Sequence, residues 1–89
     1  MEKTFKITAS EGLHARPATL LVSAVNPLDA EVRLVHNGKP ANLKSIMAVM
    51  AAGIPSGAEV TVTAEGADAE QAIEKVSEVF VSQNLGEEI

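Results

Sequence analysis

Phe5-Lys6-Ile7-Thr8-Ala9-Ser10-Glu11-Gly12-Leu13-His14-Ala15-Arg16-Pro17-Ala18-Thr19 is the stretch on which the fold turns. Phe5 and Ile7 alternate with Thr4, Lys6 and Thr8, the period of a strand buried on one face. From Ala15 the period changes. Ala18, Leu21, Val22 and Val25 recur at the three-and-four spacing of one apolar helical stripe, which predicts a helix to about Val25. Ala9 to Leu13 is the loop between them, and Gly12 gives its backbone freedom just before His14. The chain therefore begins strand, loop, helix.

The same two periods organise the remainder of the chain. Asn26-Pro27 predicts the end of the helix, because the residue before proline is driven from helical conformation. Val32 and Leu34 alternate with Glu31 and Arg33 as a second strand. Asn37-Gly38, a strong hairpin signal, joins it to a brief third strand around Pro40 to Asn42. Ser45 is placed to cap a short helix that runs to about Ala52 and stops at Gly53. Val60, Val62 and Ala64 alternate with Thr61, Thr63 and Glu65 as a fourth strand. Asp68 and Gln71 form a capping-box pattern ahead of a last helix, whose stripe is Ala69, Ala72, Ile73, Val76, Val79 and Phe80. Asn84 to Ile89 reads as a fraying end. The order is β-α-β-β-α-β-α, an α+β chain with no repeat or linker. One-sided strands and single-stripe helices predict a sheet covered on one face and open to water on the other.

Bulk properties narrow the function. The 89 residues suffice for one small domain, residues 1–89, with one core. Hydrophobic residues make up 46% of the chain, yet there are only two Phe and no Trp or Tyr, so the core is built mainly from aliphatic side chains. A net charge of −5 argues against nucleic acid, which needs a basic face. A local basic spot from Arg16 and Lys44 remains available to an anion. With no cysteine, disulfides and thiolate chemistry are excluded. No apolar run approaches the ~20 residues of a membrane span, and no signal region precedes the first strand. These features predict a cytoplasmic protein that uses neither membrane nor cofactor.

His14 and Arg16 carry the chemistry. A histidine just before a helix stands beside unpaired N–H groups and the positive end of the helix dipole, a setting suited to anions. Arg16 adds a forked cation that matches a phosphoryl group. Pro17 suits the first turn, where a missing N–H costs little. The positive surroundings favour a neutral, nucleophilic ring. The plainer reading, a histidine that only caps its helix, does not account for Arg16 and Pro17 at this spacing.

Gly12 to Thr19 resembles the active-centre motif of the HPr family, histidine-containing phosphocarriers of the phosphoenolpyruvate-dependent sugar phosphotransferase system. Asn42-Leu43-Lys44-Ser45-Ile46-Met47 is similar to that family's regulatory serine segment at the matching separation. The likeness continues through Gly57-Ala58-Glu59 and Gly66-Ala67-Asp68, so it covers essentially the whole chain. It implies an open-faced β-sandwich with a four-stranded antiparallel sheet and three helices on one face. It also implies a covalent carrier without turnover of its own. His14 Nδ1 would take a phosphoryl group from enzyme I, with Arg16 stabilising it, and pass it to sugar-specific IIA components. Ser45 would be a site for a kinase/phosphorylase, its phosphorylated form also serving as corepressor for a transcriptional regulator. Thr19, Leu20, Ile46, Met47 and Met50 would dock partners, and the protein would act as a monomer.

The residues keep plainer readings beside these. Ser45 is in any case a helix cap. Val49 and Leu43 read as core, whereas Met47 and Met50 at i and i+3 suit an adaptable exposed patch. His36, beside the Asn37-Gly38 turn, reads as structural, with no Cys or carboxylate cluster to make a metal site. Glu87 and Glu88 read as a solvated tail. Ala48, Leu28, Pro27 and Pro55 depart from the usual family pattern, and of these only Ala48 bears on a kinase's approach to Ser45. Two other functions fit parts of the chain. One is an acylphosphatase-like hydrolase with Arg16 in an anion loop, which lacks a convincing water-positioning group. The other is a purely regulatory module of the HPr type, which would leave His14 without a role.

Overall fold

The computed structural model describes every residue from Met1 to Ile89. In chain order the elements are β1 (Glu2–Ile7), α1 (Ala15–Val25), β2 (Glu31–His36), β3 (Lys39–Asn42), α2 (Ile46–Ala51), β4 (Glu59–Glu65), α3 (Ala69–Ser82) and β5 (Gly86–Glu88). All sheet pairs are antiparallel, in the order β3-β2-β4-β1-β5. β4 lies between β1 and β2, so the first two strands are parallel neighbours-but-one with α1 crossing over between them. β2 likewise lies between β3 and β4, whose connection contains α2.

Alternation decides which face is covered. Phe5, Ile7, Val32, Leu34, Val60, Val62 and Ala64 point into one core of 22 buried residues. Thr4 and Thr61 occupy the opposite face, where their hydroxyls meet at 3.0 Å. α1 contributes Ala18, Leu21, Val22 and Val25 to the core and α3 contributes Ala72, Ile73, Val76 and Phe80, the stripes expected from spacing. Each fully buried Leu or Val contributes about 1.5–3 kcal/mol. The two phenylalanines stack, Phe5 on Phe80, with centroids 4.2 Å apart.

The predicted hairpin is present: Asn37 and Gly38 have φ of 52° and 76°, which suits a turn with both central residues left-handed. Three expectations need correction. α1 ends at Val25 as expected, but not for the expected reason: Asn26 is helical, not extended, and its N–H bonds to the Val22 carbonyl at 2.8 Å. Asp68 makes no side-chain cap on α3. Its carboxylate instead accepts the Asp29 N–H at 2.7 Å, while its own N–H donates to the Asp29 carbonyl at 2.9 Å. That clasp joins the approach to β2 to the start of α3, and it takes the oxygen a capping box would use.

The largest correction concerns the C-terminus. The sheet has five strands, not four, because Gly86–Glu88 pairs with β1. Residues expected to fray are held by the end of α3. Asn84 adopts φ 54°, which allows the Leu85 N–H to reach the Phe80 carbonyl at 2.9 Å and the Asn84 N–H to reach Val81 at 3.2 Å. These are the two bonds of a Schellman cap. Leu85 is then buried, and the chain emerges alongside β1.

Candidate functional site

Three separate segments build the depression around His14. The loop after β1 contributes Ser10, Glu11 and Gly12, the first turns of α1 contribute Arg16 and Leu20, and the segment after α3 contributes Leu85. Backbone bonds fix the loop at both ends. The Leu85 carbonyl accepts the N–H groups of Thr8 and Ala9 at 2.9 and 3.1 Å. The Ile54 carbonyl accepts that of Leu13 at 3.0 Å. Between these anchors Gly12 has φ +68°, and a Cβ there would collide with the Ile54 carbonyl oxygen.

His14 is the residue that caps α1 by position, with extended backbone, but its side chain makes no capping bond. The ring turns back to Glu11, whose Oε2 lies 2.7 Å from Nε2. That side chain is 45% exposed, so the imidazole is held yet accessible. The ring's surroundings are thus not uniformly positive, as the loop-helix spacing alone suggests. The first helical hydrogen bond runs from Ala18 N–H to the His14 carbonyl. The N–H groups of Ala15 and Arg16 therefore precede the ladder, and Pro17 occupies the last position at which no N–H is needed. Arg16 lines the same depression, and its guanidinium takes part in none of the molecule's ion pairs. An exposed imidazole, a free guanidinium and the start of a helix make a binding place for a small anion open to solvent on one side.

Lys44 does not join this basic spot. Its ammonium donates to the Leu28 carbonyl at 2.6 Å, and it lines a different depression beside Arg33 and Glu65. Ser45 caps α2, its Oγ accepting the Ala48 N–H at 3.2 Å. α2 packs against α1, and the turn that leaves it carries Ile54 to the loop before His14. Leu20 borders the histidine depression, whereas Thr19, Ser45, Ile46, Met47 and Met50 do not. The Thr19 hydroxyl is spent on the Ala15 carbonyl at 2.8 Å. Of the six large apolar side chains left exposed, Ile46, Met47 and Met50 stand on this one short helix, with Met47 at 80%. His36 is half-buried in the β2-β3 hairpin, opposite Lys39.

Two parts of the site escape a reading by pattern. Glu11 has a local signal, an acid three residues before a histidine. Leu85 has one in Asn84, a residue tolerant of left-handed backbone at a helix end.

A family model described as the phosphotransferase HPr component phosphorylation site matches residues 1–82. The fold is also found in solved structures. The histidine-containing phosphocarrier protein of Mycoplasma is 38% identical, with 97% of this chain and 98% of that one covered at a TM-score of 0.94. The phosphocarrier HPr of Bacillus anthracis is 38% identical over 89% of this chain and 94% of its own, at a TM-score of 0.81. The catabolite repression protein Crh of Bacillus subtilis, a domain-swapped dimer in that structure, is 37% identical over 88% and 90%, at 0.72.

Proposed function

This chain belongs to the HPr family of the phosphotransferase system, and from that premise we propose that His14 is its phosphoryl acceptor. The observation that carries the reading is the ring itself. It is exposed at the start of α1, its one hydrogen bond is made by Nε2, and Arg16 stands free in the same depression.

A carboxylate only accepts hydrogen bonds, so the contact with Glu11 requires a proton on Nε2 and leaves the lone pair of the neutral ring on Nδ1. Nδ1 attacks the phosphorus presented by phosphorylated enzyme I. A P–N bond forms as the bond to the donor breaks, and the electron pair leaves with the donor. Arg16 and the N–H groups at the helix start offset the phosphoryl charge. One arginine in an open site stabilises the adduct without trapping it, which suits a group destined for a sugar-specific IIA component. The carrier has no turnover of its own and works in the cytoplasm. We take the carrier to act as a monomer. No helix is long and apolar enough to cross a membrane.

The test is incubation with enzyme I and phosphoenolpyruvate. The expected product is an acid-labile, base-stable phosphoryl adduct that maps to His14 and is absent from His14→Ala. Labelling retained in that variant refutes the assignment, and no labelling of the unaltered chain favours a purely regulatory module.

Regulation through Ser45 is a second reading of the same molecule. Its support is the position of the hydroxyl at the start of α2, together with the likeness to Crh, a protein named for catabolite repression. A phosphoryl group there would place a dianion where α2 begins and beside the exposed methionines, altering which partner can dock. Treatment with an HPr kinase and ATP should modify Ser45 alone. Modification at another residue, or none, removes this reading.

A further inference from the structure

The only side chain that the His14 ring binds is Glu11, through Oε2 and Nε2 at 2.7 Å. Gly12, at φ +68° between them, turns the chain so that an acid three residues upstream meets the ring. Of the residues around the depression, Glu11 and Arg16 are the charged ones; Ser10 from the loop, Leu20 from α1 and Gln83 and Leu85 from the C-terminal wall bring no charge. The far nitrogen of the ring therefore faces one anion.

We propose that Glu11 is a positioning residue that keeps the ring proton on Nε2 throughout the phosphoryl cycle, an inference that rests on phosphoryl transfer at His14. On the way in, Nδ1 forms its bond to phosphorus while Nε2 keeps its proton, and the ring becomes a phosphoimidazolium whose positive charge lies against the Glu11 carboxylate. On the way out, the P–Nδ1 bond breaks and its electron pair returns to Nδ1. With Nε2 protonated the leaving group is neutral imidazole; without that proton it would be imidazolate, a much poorer one. No proton has to enter or leave in either direction. The same carboxylate also repels the phosphoryl oxygens, so its two effects act together to make the adduct a ready donor.

The experiment uses the full chain, labelled with ¹⁵N, with Glu11→Gln and Glu11→Ala beside it. Imidazole ¹⁵N–¹H correlations on the uncharged proteins report which nitrogen bears the proton. The Nε2–H form should dominate in the unaltered chain and in Glu11→Gln, whose amide oxygen still accepts, and the Nδ1–H share should rise in Glu11→Ala. Each protein is then charged by enzyme I and phosphoenolpyruvate, freed of enzyme I, and followed by ³¹P resonance. At about pH 8 both variants should lose the phosphoryl group roughly two- to fivefold more slowly, the scale of an exposed ion pair. Unchanged tautomers and unchanged rates in Glu11→Ala overturn the proposal. If the unaltered chain accepts no phosphoryl group, the carrier reading fails on its own, while the tautomer measurement still decides whether Glu11 holds the ring proton.

Discussion

The Leu13 N–H donates to the Ile54 carbonyl at 3.0 Å, and through this bond the turn that leaves α2 sets the backbone path of the histidine loop. The approach is close enough that only glycine fits at position 12, where φ is +68° and a Cβ would overlap the same carbonyl oxygen. Gly12→Ala is therefore expected to cost at least about 1–3 kcal/mol from backbone strain alone. Urea unfolding should show a lower midpoint with the slope unchanged. Phosphoryl acceptance should also fall, because His14 and Glu11 flank the displaced residue. A variant as stable as the parent would mean that the loop relaxes freely and that Ile54 does not fix it.

Ser45 offers a way to separate capping from charge. Ser45→Ala removes the acceptor of the Ala48 N–H and should destabilise the protein by ~1 kcal/mol. Ser45→Asp keeps an acceptor at the cap and should retain most of that stability. If α2 is part of the docking face, the aspartate should nevertheless slow phosphoryl transfer from enzyme I, whereas the alanine should not. Equal rates in the two variants would remove charge at Ser45 as a control element.

Met47 is 80% exposed and lies outside the buried core. Met47→Glu should leave stability within ~0.5 kcal/mol of the parent. It should slow transfer to and from partners several-fold, read as the second-order rate of charging by enzyme I, because a charge would be desolvated at an apolar contact. A parental charging rate would show that the exposed apolar residues of α2 are not where enzyme I docks.

Local signals are legible wherever a residue's role is decided by its near neighbours. Asn37-Gly38 specifies its turn by backbone preference alone, and the stripes of α1 and α3 follow from helical spacing. Ser45 caps α2 as its position before an apolar run implies. What is not legible depends on distant chain. Asp68 has the pattern of a capping box but is captured by an N–H 39 residues away. Lys44 reads as a companion of Arg16, yet the carbonyl of Leu28 holds it elsewhere. Glu11 reaches His14 only because Gly12 bends the loop, and that bend is set by Ile54. The fifth strand is three residues long, too short to display a period, and its partner is at the other end of the chain.

That fifth strand yields the remaining prediction. Leu85 is buried at 4% exposure, follows the left-handed Asn84, and presents its carbonyl to both Thr8 and Ala9 at the base of the histidine loop. Leu85→Ala should cost about 2–5 kcal/mol, the range for emptying a buried leucine site. Asn84→Gly preserves the left-handed turn and should be nearly neutral, whereas Asn84→Val, branched at Cβ where φ is 54°, should lose about 1–3 kcal/mol. Hydrogen exchange distinguishes a local from a global effect: in Asn84→Val the amides of Thr8 and Ala9 should lose protection before those of β4, because their acceptor moves while the centre of the sheet does not. Loss of protection at all of these sites together would show instead that the C-terminal segment and the core unfold as one unit, with no separate control of the loop that carries His14.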